Sequence, residues 1–221
     1  DTQRQTKFVM RSDLLVPNLA LIDPNLCRTM PAGVTAETGI DALAHCIEGY
    51  VSRGFPYHPY YEALALYGVK LVGRSLRRAY SNGENIDART DMCMAATNGG
   101  ICLSKGLGLG HAIGHAIGAH YHTSHGRAVA SGLLCFVRAN KKACQKQFLE
   151  LAQLLDFSND LEAALVKLYK DLNVSASLRD FGIAEKDLEE IAFETSKDVV
   201  NLASNPVPIK ERQILELLKE L

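Results

Sequence analysis

The spacing of apolar residues constrains this chain more than any other feature. From Pro24 onward they recur three and four positions apart, the period of a helix with one buried face, and no convincing alternating segment follows. Upstream, Leu14 to Asp23 (Leu-Leu-Val-Pro-Asn-Leu-Ala-Leu-Ile-Asp) reads as one strand, with Pro17 marking an edge or a late start. A single strand does not stand alone in water. This one is therefore expected to join a sheet that the chain does not supply. The expected architecture is mainly α: an all-helical, bundle-like domain over residues 25–221, preceded by a strand-bearing segment, residues 1–24.

The helices are expected from a plausible N-cap at Thr35 to about Val51, with Ile40, Leu43, Ile47 and Val51 on one face, then from Pro59 to Tyr80 and from Ile86 to Lys105. Others are expected at Leu109 to Gly118, Arg127 to Cys144, Gln145 to Leu155, Leu161 to Leu172, Glu185 to Ser196 and Lys210 to Lys219. Asp180-Phe-Gly182 and Asn205-Pro-Val-Pro208 break the pattern between the later ones.

Composition excludes several classes of function. The 221 residues carry 24 basic and 25 acidic side chains, so no electrostatic argument points to nucleic acid or an anionic membrane as partner. No apolar run reaches the roughly 20 residues that a membrane helix needs. The polar start, Asp1 to Lys7, lacks the apolar stretch of a signal peptide. The six cysteines form no CxxC pair, and all but Cys27 fall in helical stretches, as reduced core thiols of a cytoplasmic protein would.

The chemistry concentrates in the histidines. Five of the seven lie between His111 and His125, directly after a glycine-rich turn. Upstream, Asp41 and His45 stand four residues apart on a helix, so they share a face and can reach one ion, with Glu48 about one turn further. Taken alone, Asp41 and His45 also fit a solvated helix pair, and the histidines fit helix ends and core positions with backbone partners. A helix and the start of the next can bring His111 and His125 to one point. Three imidazoles and one carboxylate suit Fe²⁺, Zn²⁺, Co²⁺ or Ni²⁺, and ligand softness does not choose among them. Gly106-Leu-Gly-Leu-Gly110-His-Ala-Ile-Gly114 imitates a dinucleotide fingerprint, but no GxGxxG register closes and the segment follows a helix rather than a strand. It reads instead as a close-packed helix junction. On these residues alone, a metal-dependent hydrolase and a non-catalytic metal-binding helical module remain alternatives.

Met30 to Tyr50 (MPAGVTAETGIDALAHCIEGY) resembles the first signature of iron-containing alcohol dehydrogenases, and Gly106 to His115 followed by His125-Gly126 resembles the second. The resemblance extends to Pro17–Pro24 and Asn205-Pro206. It implies a mainly α domain of the dehydroquinate-synthase/iron-alcohol-dehydrogenase type, and a metal- and NAD(P)-dependent alcohol dehydrogenase or aldehyde reductase acting on a small alcohol or aldehyde. By resemblance Asp41, His45, His111 and His125 are the metal ligands, for Fe²⁺ first and Zn²⁺ second. His115 matches a proton-relay position, and Lys7, Val34 and His125 match positions near the dinucleotide. Cys102 and Asn201 match substrate-pocket positions, while His120 and His122 match none with a role. A homo-oligomer is compatible with the resemblance. Family members also carry an N-terminal nucleotide-binding domain with a glycine-rich loop. Residues 1–24 are expected to hold only its last strand, which implies a chain inactive by itself.

Overall fold

A computed structural model describes residues 12–54, 58–121 and 123–221. Among these, the chain runs through α1 (Ala32–Val51), α2 (Pro59–Ser81), α3 (Ile86–Cys102), α4 (Leu109–His120), α5 (His125–Asn140), α6 (Gln145–Asp156), α7 (Leu161–Asp171), α8 (Leu188–Ser196), α9 (Val199–Leu202) and α10 (Glu211–Lys219). Short 3₁₀ turns punctuate it, and one of them, Leu103–Lys105, tightens the end of α3.

α1 is the central helix. It packs against α2, α3, α4 and α5. Ile40, Leu43 and Ile47 are wholly buried, and so are the small residues Ala36, Ala44 and Cys46 around the rest of its circumference. Small side chains on several faces let four neighbours approach one helix at once. Burying a residue of the Ile or Leu kind contributes about 1.5–3 kcal/mol, so this centre anchors the domain. α6 packs on α2 and α7 on α5, while α8 packs on α4 and α10 on α8 and α5.

Two expectations are corrected. Leu14 to Asp23 is not a strand. The segment carries a 3₁₀ turn at Asp13–Leu15, and the remainder pairs with no strand among the described residues. Leu14, Leu19 and Leu21 are almost fully exposed. Alternating apolar residues form a strand only against a partner edge, and the described residues offer none. Thr35 is not the N-cap of α1 either, because the helix begins at Ala32 behind Pro31. The Thr35 hydroxyl donates to the Pro31 carbonyl at 3.1 Å and accepts from the buried Arg89 guanidinium at 2.7 Å. Arg89 also donates to the carbonyls of Gly83 and Met30, which locks the start of α3 to the start of α1.

Candidate metal centre

The site lies where α1, α4 and α5 meet. Asp41 and His45 project from α1 one turn apart, His111 and His115 from α4 one turn apart, and His125 is the first residue of α5. Asp41 Oδ1 is the hub. It lies 3.3 Å from His111 Nε2, 3.4 Å from His125 Nε2 and 4.0 Å from His45 Nε2. The His45 and His111 rings stack with centroids 4.6 Å apart, and those of His111 and His125 are 5.7 Å apart. One ligand atom from each of Asp41, His45 and His111 lies within 4.8 Å of the others, the spacing of groups that share an ion.

Two close helix approaches produce this convergence. A Cβ on Gly110 would stand 1.9 Å from Glu48 Oε1, so only glycine lets α4 come this near α1. A Cβ on Gly126 would stand 2.2 Å from the Glu37 carbonyl oxygen, so the first turn of α5 also rests directly on α1 backbone. Glu48 fixes the junction. Its buried carboxylate accepts the backbone N–H of Gly108 at 2.5 Å and of His111 at 3.2 Å, which satisfies donors that the first turn of α4 leaves unpaired. The same carboxylate lies 3.4 Å from His111 Nδ1. It is thus a counter-charge behind a candidate ligand. The sequence pointed to Glu48 only as a neighbour on the helix.

The electrostatics favour a cation. Burial opposes charge on His111, but Glu48 and then Asp41 outweigh it and raise the imidazole to about 9. Burial and then the His111 ring push His45 down to about 4, leaving a neutral imidazole with a free lone pair. Burial raises the Asp41 carboxyl, yet contact with His111, His45 and His125 outweighs it and holds the group below the usual range. Asp41 Oδ1 and both ring nitrogens of His111 are buried without a hydrogen-bond partner. Buried polar atoms are rarely left so. Here they surround one point, with oxygen and nitrogen donors suited to a divalent ion.

Other expected site residues fall at different distances. His115 has its side chain 21% exposed and stacks on His125 at 5.7 Å between centroids. Val34, in the first turn of α1, is 43% exposed. Asn201 is buried beside His115. Cys102 is buried against Gly49, with its thiol directed at the Tyr61 carbonyl of α2. His120 ends α4, partly buried. Lys7 and His122 lie outside the described residues. Sequence reasoning missed Asp198, whose carboxylate lies 3.0 Å from His115 Nδ1. The available signal was an Asp three residues before Asn201, which marks a helix cap and nothing further.

Helix-held imidazoles around a shared carboxylate make this a helical domain with a candidate metal site. Residues 35–221 match the C-terminal model of the Fe-containing alcohol dehydrogenase family, and the chain belongs to that family. It is similar to alcohol dehydrogenase 4 of Saccharomyces cerevisiae, 33% identical across 99% of this chain and 58% of that protein. It is 32% identical to an NAD-dependent methanol dehydrogenase of Bacillus methanolicus, across 99% of this chain and 60% of that one. A crystal structure of a 1,3-propanediol oxidoreductase superposes with a TM-score of 0.84 at 33% identity, covering 90% of this chain and 54% of that one. The chain thus spans a little over half the length of the relatives it matches.

Proposed function

We propose that the protein is a metal- and NAD(P)-dependent alcohol dehydrogenase or aldehyde reductase, in which Asp41, His45, His111 and His125 hold one divalent ion. Fe²⁺ is the preferred ion by family, and Zn²⁺ suits the same donors. The observation that carries this reading is the set of orphaned buried atoms, Asp41 Oδ1 and the two His111 nitrogens, gathered at one point in a chain of this family. When bound, the metal supplies Lewis acidity toward an alcohol or carbonyl oxygen. The chain's own residues do the rest. Asp41 contributes the negative charge, the three imidazoles set the geometry, and Glu48 orients His111. His115 moves the proton and is not a ligand. Exposed Val34, with Lys7 and His125, contacts the dinucleotide, which takes the hydride.

Exposure separates this reading from a closed structural site. The His125 side chain is 38% exposed, which leaves a route for substrate. A two-metal hydrolase needs further carboxylates at the centre. Glu48, the nearest other carboxylate, is already engaged by two backbone N–H groups.

The test is alcohol-dependent reduction of NAD or NADP by the whole protein after metal reconstitution, followed through the absorbance of the reduced nicotinamide. Turnover with short alcohols, abolished with loss of metal in His111→Ala, is expected. Metal-loaded, folded protein that reduces neither dinucleotide with any alcohol, or a His111→Ala protein of full activity, contradicts the proposal.

A further inference from the structure

His115 is gripped by a carboxylate that lies outside the metal set. Its Nδ1 stands 3.0 Å from Asp198 Oδ2, across 83 residues of chain. Asp198 caps α9, and its Oδ1 accepts the backbone N–H of Asn201 at 3.1 Å. Oδ2 accepts the Asn201 side-chain amide at 2.8 Å. That amide nitrogen lies 3.4 Å from His115 Nδ1, and Asn201 is 4% exposed, so the trio is packed rather than dangling.

A donor inventory fixes the proton. Burial works to raise the Asp198 carboxyl, but the His115 contact and then the Asn201 bonds outweigh it and hold the group below the usual carboxylate range. An ionised carboxylate only accepts. The ring nitrogen facing it therefore carries hydrogen, and a neutral imidazole has only one to place. Nε2 is left as a bare lone pair on a ring that stacks against His125. A carboxylate facing one ring nitrogen is a common way to fix a histidine tautomer.

We propose that Asp198, supported by Asn201, is a positioning residue that holds His115 in the Nδ1–H tautomer, so that Nε2 is a standing proton acceptor beside the metal centre. This rests on the dehydrogenase reading and deepens it. Oxidation of an alcohol by NAD(P)⁺ breaks the C–H and O–H bonds, sends the hydride to the dinucleotide and releases one proton. Nε2 takes that proton and passes it to water. In the opposite tautomer Nε2 is already occupied and cannot accept it.

Asp198→Asn is the discriminating variant. Asn is an equally good helix cap, so α9 should survive. Its amide can also donate, which permits the opposite tautomer. The readout is the pair of ¹⁵N shifts of neutral His115 in the zinc-loaded protein, assigned by their disappearance in His115→Asn. The original chain should show protonated Nδ1 and bare Nε2. Asp198→Asn should show a mixture of both tautomers, with metal content unchanged. A predominantly Nε2–H ring in the original chain overturns the proposal, and needs no variant to fold. An unaltered tautomer in Asp198→Asn overturns it as well. In the whole protein, kcat should fall by about 10-fold to 100-fold while KM stays within about 2-fold, because acid–base catalysis is lost and binding is not. An unchanged kcat despite a shifted tautomer refutes the positioning role. Absence of turnover in the parent protein refutes the dehydrogenase reading instead, while the tautomer measurement still decides the Asp198 contact.

Discussion

The Glu48 side chain is wholly buried, and its nearest side-chain partner is His111 Nδ1 at 3.4 Å. Its one carboxylate accepts two backbone N–H groups at the start of α4 and faces the His111 ring. Glu48→Gln keeps the shape and removes the charge. It should weaken zinc binding by roughly 10-fold to 100-fold, the usual effect of losing a group that orients a ligand. Competition with a chromophoric chelator measures this, and an unchanged affinity would show that Glu48 only caps the helix. His115→Asn should leave metal content whole. Loss of metal there would make His115 a ligand. Legibility at this scale followed from local spacing. Asp41 with His45 was readable because four residues separate them on one helix. Asp198 was not, because a cap three residues from Asn201 looks the same whether or not a histidine from elsewhere docks on it. Thr35 was misread for a similar reason, since its partner Arg89 is 54 positions away.

At the scale of elements, helix approach distances decide whether a site exists. Gly110→Ala forces Cβ against Glu48 and should cost roughly 1–3 kcal/mol from overpacking, with weakened metal binding. Gly100, near the end of α3, has nothing within 4 Å of a built Cβ. Gly100→Ala should therefore stabilise by about 0.5–1 kcal/mol through helix propensity and a less free unfolded chain. Urea midpoints compare the two, and equal effects would undo the close-packing explanation. The α2–α3 seam carries an acid-sensitive link. Burial raises the Asp91 carboxyl, but hydrogen bonds from Arg74 and Ser75 outweigh it and hold the group below its ordinary 3.8. A depressed folded value means that this stability is fully present above the ordinary carboxylate range and is lost as pH falls through the folded value. Asp91→Asn should flatten the decline in urea midpoint at acid pH and leave the slope near neutrality unaltered. An unchanged acid slope would remove Asp91 from that role. Most of the helices were legible because they bury an apolar stripe, and most ends fell within a few residues of expectation. Leu14 to Asp23 was not, since alternation describes a strand only where a partner edge exists.

For the molecule as a whole, one ion would join α1 to α4 and α5, which lie far along the chain from it and meet it through glycine contacts. Metal binding should therefore stabilise the fold. At a free concentration about a thousandfold above Kd, the gain is about 4 kcal/mol, or roughly 10 °C in Tm. Adding zinc and then a chelator should raise and restore Tm, and His111→Ala should show neither change. Among the described residues, no helix is long and apolar enough to cross a membrane. The family was legible in the two signature segments because both lie at the metal-site junction, where few residue types fit the space and the chemistry.

The most direct measurement is X-ray absorption at the metal edge together with anomalous diffraction from the zinc-loaded protein. A single peak is expected between α1, α4 and α5, with Asp41 Oδ1, His45, His111 and His125 each about 2.0–2.2 Å away. A peak ligated by cysteine sulfur, or one that leaves Asp41 and His111 outside its coordination sphere, would contradict the shared-ion site.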